Sequence, residues 1–96
     1  MKRFPKSFNL DVFGKKVKTK VTKINDLGLF VPVTWQILIS EGQTRDDAVK
    51  TLIHELTHAM IHRTGINQSL AHELEEVICE NVSTVICENF NLTLKN

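Results

Sequence analysis

With 96 residues, 42% of them hydrophobic, the chain reads as one domain over residues 1–96, able to bury roughly 60–65% of its unfolded surface and so to fold without a wide margin. No apolar run approaches the roughly 20 residues of a membrane span, and Met1-Lys2-Arg3-Phe4-Pro5-Lys6 has no hydrophobic stretch behind its charges, so a soluble, unexported, cytoplasmic protein is expected. The net charge of +1 conceals an uneven spread: residues 1–24 hold eight Lys/Arg against one Asp, residues 41–96 four against nine Asp/Glu.

Phe8-Asn9-Leu10-Asp11-Val12-Phe13 alternates apolar and polar, Gly14-Lys15 suggests a turn, and 16–24 alternates again, which predicts a β-hairpin. Lys16, Lys18 and Lys20 line one face of its second strand. The plain explanation is a solvated strand kept from aggregating by its lysines; the sharper one is contact with nucleic acid, for which Arg and interleaved aromatics are scarce. Asn25-Asp26-Leu27-Gly28 reads as a turn, and Pro32 limits any strand at 29–33 to an edge. Trp35–Ser40 is the next strand, with Trp35, Ile37 and Ile39 on one face.

Thr44, with Asp47 three residues on, is a capping-box-like start to a helix expected to run to about Thr64 and stop at Gly65. At 100° per residue, Val49, Leu52, Ile53, Leu56, Ala59 and Met60 form one stripe, and His54, His58 and His62 a second, nearly opposite. After Ile66-Asn67-Gln68, Ser69 is expected to cap a second helix over about 70–90. Its apolar side holds Leu70, Leu74, Val77, Ile78, Val82 and Val85, and Glu73, Glu76 and Glu80 cluster within about 60° of one another. Cys79 and Cys87 lie about 12 Å apart along this helix, too far to bridge, and are expected to be packing residues in a reducing compartment. The fold class is therefore α+β, a three- to four-stranded antiparallel or mixed N-terminal sheet packed on two long antiparallel helices.

His54-Glu55-Leu56-Thr57-His58 is an H-E-x-x-H sequence on the first helix. Histidines four apart sit about 40° apart in angle and roughly 6 Å apart in rise, so both rings can turn onto one zinc ion, with Glu55 placed to hold a water instead. A catalytic zinc takes three protein ligands and leaves one position open. His62 would have to converge with two other rings from one straight helix, His72 would come from the connection or the next helix, and the acidic stripe can reach across from an antiparallel neighbour. Spacing favours Glu76 as ligand, with Glu80 accepting the free ring N–H of a histidine and Glu73 as the substitute; Glu75, about 100° from Glu76, is expected in solvent.

Residues 51–90, with His54-Glu55-Leu56-Thr57-His58 followed by Glu75-Glu76-Val77-Ile78-Cys79-Glu80, resemble the gluzincin arrangement, and more narrowly the small ImmA/IrrE-type and phage-encoded metallopeptidases. The resemblance implies a zincin-like fold, one zinc ion, Glu76 as third ligand, Glu80 in a supporting acidic position, peptide or protein substrates, and a bacterial or phage-infected cell. Larger gluzincins steady the oxyanion with a Tyr or His, and this chain has no Tyr; His62 or His72 would have to substitute. SprT-like proteases, with a third His after a similar gap, are the neighbouring family through His72. The expected activity is zinc-dependent peptide hydrolysis with Glu55 as general base and the substrate along an exposed Trp35–Ser40 edge. The alternative is a zinc-stabilised, non-catalytic module that recognises a regulatory protein or nucleic acid through the basic hairpin.

Overall fold

A computed structural model describes residues 3–95. Four strands precede two long helices: β1 (Ser7–Val12), β2 (Lys15–Thr22), β3 (Gly28–Val31), β4 (Gln36–Ser40), α1 (Arg45–Thr64) and α2 (His72–Asn89), with a 3₁₀ turn, Ile66–Ser69, between the helices. The fold is α+β and its sheet is mixed. The strand order is β1-β2-β4-β3, with β1 antiparallel to β2, β2 parallel to β4, and β3 antiparallel to β4.

Local chemistry explains most of these elements. Phe13 and Gly14 join β1 to β2 with φ of 49° and 82°, the pair of positive values that a two-residue turn needs to match the twist of its strands. Pro32 follows β3 directly, and β3 is a sheet edge, the position where a missing N–H costs no ladder bond. Thr44 Oγ1 accepts the Asp47 N–H at 3.2 Å to open α1, and Gly65, at φ 81°, closes it with its N–H donated to the His62 carbonyl. Ser69 does not cap the second helix. It belongs to the 3₁₀ turn, and α2 starts three residues later.

Val17, Ile37 and Ile39 are fully buried and meet Val12, Phe30, Ala48, Leu52 and Ala59 in one core between the sheet and α1. Burying these aliphatic side chains stabilises the fold by roughly 1.5–3 kcal/mol each. Thr19, also on the helix-facing side of β2, is 1% exposed, and its hydroxyl finds no hydrogen-bond partner among the described residues. A Thr19→Val protein is expected to be more stable by about 1 kcal/mol, because the isosteric methyl removes an unsatisfied buried group. The check is a higher denaturant midpoint at an unchanged slope.

α2 packs on α1 and not on the sheet. The face it buries is Glu75, Cys79 and Ser83, and the apolar side identified in the sequence is largely turned to solvent, with Leu74, Val77, Val82 and Val85 exposed. No helix among the described residues is long and apolar enough to cross a membrane.

Candidate metal centre

The two helices run antiparallel, so α1 positions 50, 54 and 58 meet α2 positions 80, 76 and 75 across their seam. His54 Nε2 lies 3.3 Å and His58 Nε2 2.9 Å from Glu76 Oε1. These three side chains form the one group among the described residues whose donor atoms, all within 4.8 Å of one another, could hold a metal ion. A tetrahedral zinc with ligands at about 2.0–2.2 Å sets its N and O donors roughly 3.3 Å apart, the His54–Glu76 separation, whereas His58 and Glu76 at 2.9 Å would have to part slightly to admit it.

The outer ring nitrogens are engaged too. His54 Nδ1 donates to Glu80 Oε1 at 3.2 Å, and His58 Nδ1 donates to Glu75 Oε2 at 2.5 Å. Each ring therefore has a carboxylate that fixes the Nδ1–H tautomer and turns an Nε2 lone pair inward, as metal-ligating histidines require. With both rings neutral, two lone pairs and a carboxylate oxygen point at one another, an arrangement that repels unless a proton or a cation lies between them. The donor set fits zinc.

Charge at the site follows from this crowding. Burial pushes the Glu55 carboxyl above its ordinary range, against the pull of His54, His58 and the Phe30 backbone amide. For His58 burial acts to lower the pKa, but hydrogen bonds to Glu75 and Glu76 outweigh it and the ring is raised. Burial would raise Glu76, yet the bonds from His58 and His54 hold it low. Cys79, beneath the cluster, is pushed up to about 12, first by burial and then by Glu75, Glu76 and Glu55; it stays a neutral thiol, neither ligand nor nucleophile.

Glu55, 8% exposed, lies between this cluster and β3. A Cβ on Gly28 would come within 2.5 Å of Thr51 Cγ2 and 3.0 Å of Glu55 Cγ, so only glycine lets α1 approach the strand this closely. A cleft of about 1280 Å³ opens in front, walled by β3 on one side and by Glu75, Glu76 and Glu80 of α2 on the other.

The expected substrate edge must be corrected. β4 is not an edge: it is paired to β2 and β3, and Ile37 and Ile39 are fully buried. Trp35 precedes the strand at φ 53° and packs edge-on against Phe30 at 5.6 Å. The free edge beside the cluster is β3. Ser40 N–H donates to the Leu27 carbonyl, and antiparallel alternation from that pair leaves the N–H and C=O of Gly28 and Phe30 pointing away from the sheet.

The other sequence candidates scatter. His62 lies edge-on to Phe30 at 5.3 Å, with Nε2 3.5 Å from Glu75 Oε2. His72 lines the cleft from the first turn of α2, outside the ligand triad, and Glu73 is exposed and off the cleft. Glu75, expected in solvent, is 5% exposed and supports His58. The signal for it is the Glu75-Cys79-Ser83 row at four-residue spacing, in which the short Cys79 and Ser83 side chains permit close approach to α1. If the cluster holds zinc, Glu75→Gln is expected to weaken that binding about 10–100-fold, as loss of such a buttress does. Competition with a chromophoric chelator measures it, and Glu73→Gln serves as the neutral control.

No family model matches this chain, and neither the curated proteins nor the solved structures contain a match to it.

Proposed function

We propose that the protein is a zinc-dependent peptidase. The carrying observation is the convergence of His54 Nε2, His58 Nε2 and Glu76 on one point, each histidine backed by its own carboxylate, with Glu55 beside them in an open cleft.

His54, His58 and Glu76 would hold the ion. A zinc ion there supplies a Lewis acid that polarises a carbonyl and lowers the pKa of water. Glu55, held in a largely dry position that raises its basicity, takes the proton from the attacking water and delivers it to the leaving amine. An extended peptide laid along the cleft would add its backbone to the outward N–H and C=O of Gly28 and the outward C=O of Phe30, whose own N–H faces Glu55, and this would hold the scissile bond near Glu55 without reading its sequence.

Metal analysis of purified protein is expected to find one zinc per chain, and cleavage of an unstructured protein such as casein should stop with a chelator and return with zinc. Protein that neither binds zinc nor cleaves would end the proposal. A second reading has its own observation: Lys18 and Lys20 are exposed on the sheet face away from the helices, although Asp11 pairs with Lys16 at 2.8 Å. Salt-sensitive nucleic-acid binding that survives chelation, with no cleavage, would favour it.

A further inference from the structure

The outward face of α2 has no partner within the chain. Leu74 is 51% exposed, Val77 51%, Val82 38% and Val85 56%, costly for side chains of this kind in water. Leu74, Ile78, Asn81 and Val85 follow one another at spacings of four, three and four, the seam of a helix–helix pair, and Val77 and Val82 flank them. Val85 lies about 180° round the helix from Glu76, so the seam and the cleft open in opposite directions.

These residues are placed symmetrically. Leu74 and Val85, Val77 and Val82, and Ile78 and Asn81 are each equidistant from the midpoint between Cys79 and Glu80. An antiparallel two-fold pairing would set Leu74 on Val85 of the second copy and Ile78 on Asn81, each contact made twice, with Val77 beside the second Val77 on one flank and Val82 beside the second Val82 on the other, as a closed dimer requires. Charge agrees with this direction. α2 carries five Glu and no Lys or Arg; a parallel pairing would place Glu73 on Glu73 and Glu88 on Glu88, whereas the antiparallel one sets Glu73 opposite Ile86 and Glu88 opposite Ala71. We propose that the exposed face of α2 pairs with a second copy of this chain, antiparallel about the midpoint between Cys79 and Glu80.

The helix of 18 residues is about 27 Å long, and its strip falls short of the roughly 800 Å² per partner of a standard interface. The dimer is therefore a reversible one. Both clefts stay open to solvent, and the helix that carries Glu76 gains support on its otherwise free side. Neither consequence depends on a metal.

Sedimentation of the purified protein from low-micromolar to millimolar concentration tests the pairing. The mass should rise from 10.9 kDa to twice that value. Val82→Glu should weaken association at least about tenfold while helix content by circular dichroism is retained, since it buries an unpaired charge at the seam. Val85→Glu alone should weaken association likewise, and Leu74→Lys combined with Val85→Glu should restore the dimer, because Leu74 and Val85 face one another across the seam and each introduced lysine then meets an introduced glutamate. A wild type that stays monomeric or forms larger species, a Val82→Glu protein that associates as before, or a double variant that remains monomeric would each overturn it.

Discussion

Glu55→Gln is expected to keep one zinc per chain and to lose peptide hydrolysis by about 10²–10⁴-fold, the usual contribution of a positioned general base. The substitution is nearly isosteric, so the close packing of Glu55 on Gly28 is preserved. It removes a carboxylate whose charge burial disfavours, so folding stability should hold or rise. The proposed ligands on either side in sequence, His54 and His58, keep their carboxylate partners Glu80 and Glu75. Parallel metal analysis and initial rates on casein make the comparison. An unchanged rate would take Glu55 out of the reaction, and loss of zinc from the variant would recast it as a support for the ligands.

Glu76→Ala should abolish metal-linked stabilisation. A ligand that binds only the folded state adds about 4 kcal/mol at a thousand times its dissociation constant, so zinc-loaded wild type should melt well above chelated wild type. The alanine variant removes the one proposed ligand on α2 and should melt at the same temperature with and without zinc. Calorimetry on the four samples reads this directly. An equal zinc increment in both proteins would mean that the ion sits elsewhere. Glu73→Ala, outside the cluster, should behave as wild type.

Much of α1 was legible because its cues are local: a Thr cap, a Gly stop and a 3.6-residue period placing His54 and His58 together. The acidic positions on α2 followed from the same counting, and the structure brings Glu76 to both Nε2 atoms and Glu80 to His54 Nδ1. Counting gives relative azimuths on a helix but not which azimuth the neighbour occupies. With Glu76 aimed at α1, counting alone leaves Glu75, about 100° round the helix, in solvent; in the structure the helix is rolled so that Glu75, Cys79 and Ser83 face α1. The place of Trp35–Ser40 within the sheet is beyond such counting for a related reason. Alternation shows which face of Trp35–Ser40 is apolar, but the order β1-β2-β4-β3 is set by long-range pairing, which no local pattern records.

α2 is fastened to the rest of the chain along one seam, and the proposed ligands straddle it, two on α1 and one on α2. Capturing an ion and clamping that helix would then be a single event, so whatever loosens the hairpin of helices also loosens the grip on zinc. Metal supply could in this way govern how much of the protein is competent to act, with the sheet and α1 serving as the fixed anvil throughout.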